Sequence, residues 1–167
     1  HIQGFNSPSI LLNDVIPNQK HIANASLEWA EKERIYQEAD IISLHLPLTR
    51  LTKNMIRKEH LLSMKKDALV INTSRGGIIN EVDLYEVMQT GHLSGVAIDV
   101  FEDEPYDGPL KEIERCLLTS HMGSMSIDCR SRMEIEATEE AVRMIVGQAL
   151  EGEVPERSVD VELAIKL

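Results

Sequence analysis

Residues 68–77 read ALVINTSRGG, a short aliphatic run that ends in polar residues and two glycines. Short apolar runs bounded by turn residues are typical of strands that are buried on both faces. The same design recurs in Asp40–Leu46 (DIISLHL), Gly95–Phe101 (GVAIDVF) and Cys116–Thr119 (CLLT). The sequence therefore predicts four buried strands, together with a shorter one over Ile2–Phe5.

Amphipathic segments lie between these strands. Leu27–Ala39 is charged and helical in character, and Lys58–Met64 indicates a short helix. A long helix is predicted from about Ser126 to a stop at Gly152, because apolar residues repeat every four positions at Cys129, Met133, Ala137, Ala141, Ile145 and Ala149. Short strands that alternate with helices predict a parallel α/β sheet with helices on both faces.

One further helix is marked at both ends. Asn80 is a favourable N-cap, with Asp83 at the third helical position. Gly91 is a natural C-terminal stop because glycine readily adopts the left-handed conformation that ends many helices. The apolar stripe of this helix consists of Leu84, Val87 and Met88.

Composition excludes several kinds of partner. The chain has 167 residues, enough for one domain with a real core, and a formal net charge of -11. Such an acidic surface repels phosphate backbones and anionic membranes, and an aromatic content of 4% argues against a base-stacking surface. The two cysteines show no metal-ligand spacing, so we expect no metal and a cytoplasmic location.

Polar residues follow three of the predicted strands. NTSRGG follows the strand that begins at Ala68, DVFEDEP follows the one that begins at Gly95, and HMGS follows the one that begins at Cys116. In parallel α/β sheets, ligands bind outside the carboxyl ends of the strands. An arginine, an acidic cluster and a histidine are therefore predicted on one rim of the sheet.

This trio suits hydride transfer to a carbon that bears oxygen. A carbonyl that accepts hydride must also take a proton, which a histidine can supply, and a neighbouring carboxylate favours the protonated imidazole. A guanidinium can hold a substrate carboxylate through two hydrogen bonds. Taken singly, Arg75 and Glu104 are more simply surface charges and His121 a structural histidine, so the conjunction carries the prediction.

Four motifs carry a family resemblance: ADIISLHLPLT (39–49), INTSRGG (71–77), GVAIDVFEDEP (95–105) and LLTSHMGS (117–124). In order and spacing they closely resemble the D-isomer-specific 2-hydroxyacid dehydrogenases. The helical segment RMEIEATEEAV (132–142) is most similar to phosphoglycerate dehydrogenase members of that family. The resemblance implies a Rossmann-type sheet and NAD as the cofactor, with NADP less favoured.

The resemblance also implies roles for individual residues. Arg75 would bind the substrate carboxylate, His121 would be the general acid/base, and Glu104 would pair with it. Asp99 would hydrogen-bond the nicotinamide carboxamide, and Asn6 stands where relatives carry the aspartate that binds the adenosine ribose. The residues implied along the cofactor are Asn6, Leu46, Pro47, Thr73, Ser74, Arg75, Asp99, His121, Gly123 and Ser124.

The sequence departs from the family pattern in two respects, one of which is Asn6 in place of the aspartate. The other concerns the glycine-rich fingerprint. None of its nine glycines forms the GxGxxG fingerprint that binds the pyrophosphate. We therefore expect residues 1–152 to be a partial dinucleotide-binding domain that lacks its first βα unit, with 153–167 as a tail. A chain truncated in this way is expected to be inactive by itself.

The expected activity of the intact protein is NAD-dependent interconversion of a D-2-hydroxyacid and its 2-keto acid. Phosphoglycerate is the favoured substrate, and glyoxylate or hydroxypyruvate is the alternative. A non-catalytic nucleotide-sensing module and an inert fragment remain open as other interpretations. The resemblance further implies a homodimer.

Overall fold

The computed structural model describes residues 9–15 and 27–152. The chain forms two compact units, His1–Ser120 and His121–Leu167. The predicted strand over residues 2–5, the predicted ribose contact Asn6 and the predicted tail 153–167 lie outside the described residues.

The first unit begins with a small parallel pair of strands. Strand β1 (Leu11–Leu12) pairs with β2 (Glu28–Trp29), and helix α1 (Lys32–Glu38) follows. The predicted helix over Leu27–Ala39 is therefore wrong in its first part. The Ala30 N–H donates to the Leu12 carbonyl at 2.9 Å, so pairing with a distant strand overrides the local helical character.

The main sheet has four parallel strands in the order β3 (Ile41–Leu44), β4 (Leu69–Asn72), β5 (Gly95–Ile98) and β6 (Cys116–Leu118). Each coincides with one of the predicted strands, so the parallel α/β sheet is confirmed, although these strands are not buried on both faces. Asn72 lies opposite Ile98 in the register, which brings the ends of β4 and β5 side by side.

The helices between the strands include the one whose two ends were predicted from Asn80 and Gly91, and both ends are confirmed. Helices α2 (Lys58–Ser63) and α3 (Glu81–Thr90) precede β4 and β5, and a short 3-10 helix spans Pro109–Glu112 before β6. The Asn80 side chain caps α3 by accepting from the Asp83 N–H, and Gly91 ends it with a φ of 73°. The predicted apolar stripe of α3 is buried, at 0–1% exposure, and consists of Leu84, Val87 and Met88.

The two faces of the main sheet differ. One face packs into the core through Ile42, Leu44, Val70, Val96 and Ile98. On the other, Ile41, Leu69 and Leu117 are 58%, 40% and 66% exposed. When strand order follows sequence order, right-handed crossovers place every connecting helix on the same side. Within the described residues of the first unit, the connecting helices therefore cover one face of the main sheet.

The second unit is dominated by helix α4 (Ile127–Ile145). The Ser126 side chain caps its start by accepting from the Cys129 N–H, and none of its residues is buried. The predicted stop at Gly152 is wrong: the helix ends at Ile145, and Gly147 has the positive φ of 72°. Across the described parts of both units, no helix is long and apolar enough to cross a membrane.

Candidate functional site

The loops that follow β4 and β5 form the core of the candidate site. Both leave the sheet at its carboxyl edge, because the strands are parallel neighbours in register. The Asp99 N–H donates to the Asn72 carbonyl at 3.0 Å, which joins the two loops at their first residues. The sequence prediction of a shared rim is therefore confirmed for these two loops.

The loop after β4 folds around one buried side chain. Asn72 is only 2% exposed. Its Oδ1 accepts hydrogen bonds from the backbone N–H and the hydroxyl of Ser74, at 3.1 and 2.9 Å. Its Nδ2 donates to the Arg75 carbonyl at 3.0 Å. Asn72 thus uses both ends of its amide to shape the turn that carries Arg75.

Arg75 itself is exposed at the rim. Its Nη1 donates to the Ser74 carbonyl at 2.6 Å, so the guanidinium lies back over its own turn. An exposed guanidinium on a backbone fixed from below can offer a planar pair of donors to an anionic group.

Gly76 lies against the loop after β5. A Cβ at this position would lie 2.0 Å from the carbonyl carbon and oxygen of Phe101, and 2.5 Å from the Glu102 nitrogen. No side chain can occupy that space unless a backbone moves. The two glycines allow different things, a close backbone approach and a sharp turn. At Gly76 the approach is to a neighbouring loop, whereas Gly77 provides the turn, with a φ of 74°.

Asp99 is a buried carboxylate at the end of β5, with 9% exposure. The hydroxyl of Thr119, just after β6, donates to its Oδ1 at 2.6 Å. Burial of a carboxylate is costly unless hydrogen bonds replace the lost water, and this contact supplies one of them. This contact was not predicted from the sequence, because Thr119 follows a different strand.

The acidic loop 101–105 is anchored at several points. Glu104 is exposed, and its Oε1 accepts from the Phe101 N–H at 3.0 Å. The Phe101 ring stacks on Tyr106, with centroids 4.1 Å apart. The Glu102 N–H donates to Glu81 at 2.7 Å. The backbone that carries Glu104 is therefore ordered by contacts on both sides of it.

Electrostatics at this loop involve the half-buried Glu81. Burial raises the pKa of its carboxyl, and the charges of Glu102 and Asp103 raise it further, while the hydrogen bond from the Glu102 N–H acts the other way. In the described parts of the chain, no group of three or more His, Cys, Asp or Glu residues could hold a metal ion.

The other predicted lining residues of the first unit lie after β3 and β4. Leu46 is half-buried and packs against the core, and Pro47 is exposed. The Pro47 carbonyl accepts from the Thr52 hydroxyl at 2.6 Å, which closes the loop after β3. Thr73 is exposed and Ser74 half-buried in the turn shaped by Asn72.

His121, Gly123 and Ser124 belong to the second unit. His121 is exposed and has a φ of 54°, a left-handed conformation that is uncommon for residues other than glycine. Nothing lies within 4 Å of a Cβ built on Gly123, and Ser124 is half-buried.

Three positions in the site were assigned no such part from the sequence: Asn72, Gly76 in its contact with Phe101, and Thr119. An asparagine that ends an aliphatic strand is the signal that points to Asn72, since burial there requires several hydrogen-bond partners. Thr119 carries no comparable signal, because its partner lies on another strand.

The polar side chains at this edge of the sheet are of the kinds that fit the nicotinamide end of a dinucleotide. Asp99 offers a carboxylate at the carboxyl edge of the sheet, where a carboxamide N–H is a suitable partner. The loop beside it carries the exposed guanidinium of Arg75, a group that can bind anions. The described residues thus provide acceptors and donors of the kinds that such a cofactor and substrate require.

The sequence is similar to those of known proteins. Residues 1–123 match the family described as D-isomer specific 2-hydroxyacid dehydrogenase, NAD binding domain. The glyoxylate reductase of Korarchaeum cryptofilum is 35% identical over 156 residues, which cover 92% of this chain and 46% of that protein. The D-3-phosphoglycerate dehydrogenase of Bacillus subtilis is 37% identical over 116 residues, 69% of this chain and 22% of its own.

A solved structure gives a similar result. The crystal structure of D-lactate dehydrogenase with NAD+ from Lactobacillus jensenii aligns with a TM-score of 0.82 at 25% identity, over 93% of this chain and 51% of that one. The chain spans about half or less of the length of these three proteins.

Proposed function

Because the chain belongs to the D-isomer-specific 2-hydroxyacid dehydrogenases, as part of their NAD-binding domain, we propose that the full-length gene product interconverts a D-2-hydroxyacid and its 2-keto acid. The observation that carries the proposal is the joined pair of loops after β4 and β5. They hold an exposed guanidinium and a buried carboxylate at one edge of a parallel sheet. NAD, when bound, supplies or accepts the hydride.

Arg75 is proposed to bind the carboxylate of the substrate. Its turn is fixed by Asn72, and its guanidinium is exposed. A guanidinium carries N–H donors on all three nitrogens, so Arg75 can keep the Nη1 bond to the Ser74 carbonyl and still present Nε–H and Nη2–H side by side to two carboxylate oxygens.

Asp99 is proposed to orient the nicotinamide ring by accepting from its carboxamide. Thr119 holds one carboxylate oxygen of Asp99, which limits rotation of the side chain. The further residues proposed along the cofactor are Asn6, Leu46, Pro47, Thr73, Ser74, Gly123 and Ser124. A carboxylate at position 6 would favour NAD by binding both ribose hydroxyls, and Asn6 keeps an oxygen acceptor for one of them.

His121 is proposed as the general acid/base, and Glu104 as its partner. The carbonyl oxygen of a 2-keto acid takes up a proton as hydride reaches its carbon, and a protonated imidazole can give it. A carboxylate partner stabilises the imidazolium before the transfer. The support for His121 is its motif and the family match, which extends to residue 123.

The substrate is proposed to be a small 2-keto acid or its D-hydroxyacid. Phosphoglycerate is favoured by the RMEIEATEEAV segment, whereas the match to the Korarchaeum glyoxylate reductase covers more of this chain. Both substrates present the carboxylate that Arg75 would bind. A homodimer and a cytoplasmic location are retained as predictions.

An assay of the full-length gene product tests the reaction. We expect NADH-dependent reduction of glyoxylate or hydroxypyruvate, or NAD-dependent oxidation of 3-phosphoglycerate. His121→Gln should lower kcat by about 10² to 10⁴-fold, because it removes the proton donor. The control is His92→Gln, at a histidine outside the two loops whose Nε2 lies 2.9 Å from the Met64 carbonyl, and it should leave kcat within about twofold.

Two outcomes would contradict the proposal. Near-normal turnover by His121→Gln would remove the acid/base assignment. Binding of NAD by the wild type, without turnover of any of the three substrates, would favour a nucleotide-sensing module instead.

A further inference from the structure

The turn that carries Arg75 is organised by the buried side-chain amide of Asn72. Asn72 is 2% exposed, so its polar atoms have exchanged water for protein partners. Those partners are the Ser74 N–H, the Ser74 hydroxyl and the Arg75 carbonyl, all within the next three residues. A backbone turn of this kind is defined by a side chain and not by regular secondary structure.

The backbone of Asn72 ties the same turn to the neighbouring strand. Its carbonyl accepts from the Asp99 N–H at 3.0 Å. One residue therefore connects the loop of the proposed substrate anchor with the residue proposed to orient the cofactor. A shift of Asn72 would move Arg75 relative to Asp99.

Gly76 closes the turn from the other side. Its backbone lies so close to Phe101 that a Cβ would be 2.0 Å from the Phe101 carbonyl. The backbone on both sides of Arg75 is thus held, by the Asn72 amide before it and by the loop after β5 behind Gly76. Preorganisation of this kind matters for binding, because a guanidinium held in place loses less freedom when an anion arrives.

We propose that Asn72 is a positioning residue, which fixes the Arg75 turn in the geometry that accepts an anionic group of the substrate. Asn72 is not a catalytic residue, because its side chain makes three hydrogen bonds within the turn. The inference rests on the proposed function in one respect, namely that Arg75 binds the substrate carboxylate.

A double-mutant cycle in the full-length gene product tests this role, with glyoxylate and NADH as probes. Asn72→Ala should raise the KM for glyoxylate roughly tenfold to a hundredfold, with a smaller change in kcat, because the anchor is misplaced. In an Arg75→Ala background, Asn72→Ala should change KM by less than about twofold, because the group it positions is gone. Equal effects in both backgrounds would overturn the proposal.

Asn80→Ala is the matched control. Asn80 is a half-buried asparagine whose side chain bonds to Asp83 and Asn54, outside the Arg75 turn. The substitution should lower Tm without raising the KM for glyoxylate. If Asn72→Ala does not fold, Asn72→Ser replaces it, since the short hydroxyl cannot span the same three partners and leaves a smaller void.

Amide hydrogen exchange on this chain separates failure of the positioning role from failure of the proposed reaction. The Ser74 amide should be protected in the wild type and should exchange at least about tenfold faster in Asn72→Ser. The Asp99 amide, which bonds to the Asn72 backbone, should keep its protection in both. A Ser74 amide that exchanges freely in the wild type would overturn the proposal, whatever the enzyme assay gives.

Discussion

Helices α3 and α4 have the same kind of N-terminal cap but differ in how many of their apolar residues are buried. Each starts on a polar side chain that accepts from the N–H three residues later, Asn80 for α3 and Ser126 for α4. Each also carries at least one acidic residue in its first turn. Yet α3 buries Leu84, Val87 and Met88, whereas α4 buries nothing.

The difference separates what makes a helix start from what makes it stable. A cap depends on two or three adjacent residues, so the sequence alone determines it. Burial depends on which other segments cover the apolar stripe. In α4, Ile127 and Ile145 are 84% and 83% exposed, so its described stabilisation comes from the cap and from ion pairs of Arg143 with Glu140 and Glu151. Arg143 and Glu140 are half-buried and Glu151 is exposed, and ion pairs near a protein surface contribute about 0–1 kcal/mol each.

The largest expected effect comes from truncating one apolar residue in each helix. Leu84→Ala should lower the free energy of unfolding by about 2–5 kcal/mol, because it opens a cavity in the core below α3. Met133→Ala in α4, at 53% exposure, should change it by less than about 0.5 kcal/mol. Urea unfolding followed by circular dichroism measures both. Equal losses would mean that the two helices are buried alike.

A smaller effect is expected from the two caps. Asn80→Ala and Ser126→Ala should each cost about 1 kcal/mol of helix stability. For α3, the loss should appear in the cooperative unfolding of the first unit. For α4, it should appear as faster amide exchange in the first turn, with the unfolding of residues 27–120 unchanged. Loss of protection in β4 after Ser126→Ala would contradict this separation.

The smallest effect concerns the first residue of α3, Glu81, whose pKa is raised mainly by burial. A carboxyl with a higher pKa in the folded state binds its proton more tightly there. Stability therefore falls as pH rises from the unfolded pKa of about 4.3 through the folded value. Glu81→Gln removes this dependence and keeps an acceptor for the Glu102 N–H. Its Tm relative to wild type should be highest near neutral pH and should converge with wild type below pH about 3, a trend that a Tm series against pH would test.

Elements that depend on adjacent residues were predicted well from the sequence, whereas elements that depend on distant segments were not. The strands of the main sheet and both ends of α3 depend on short runs, so they were predicted closely. Strand β2 was wrongly predicted to be helical. Its partner strand is β1, and the paired residues Leu11 and Glu28 are 17 positions apart in the sequence. The end of α4 was placed too late because the apolar repeat continues to Ala149, beyond Gly147, whose φ is 72°.

The candidate site divides in a similar way. The positions of Arg75, Asp99 and Glu104 beyond the carboxyl ends of β4 and β5 were predictable, because each residue follows a recognisable strand. The hydrogen bonds and contacts that support them were not, since Thr119 meets Asp99 across neighbouring strands and Gly76 meets Phe101 across two loops. Sequence patterns identify which side chains leave the sheet, whereas non-local contacts determine how firmly each is held.

The contact between Gly76 and Phe101 has a consequence for loop exchange among related enzymes. A library that swaps residues 72–77 alone retains a recipient backbone at Phe101 that tolerates no side chain at position 76. Chimeras that exchange 72–77 together with 99–105 should therefore yield more folded clones than chimeras that exchange either segment singly. In recombination experiments, residues 72–77 and 99–105 should therefore be exchanged together, although 21 residues separate the two loops in the chain.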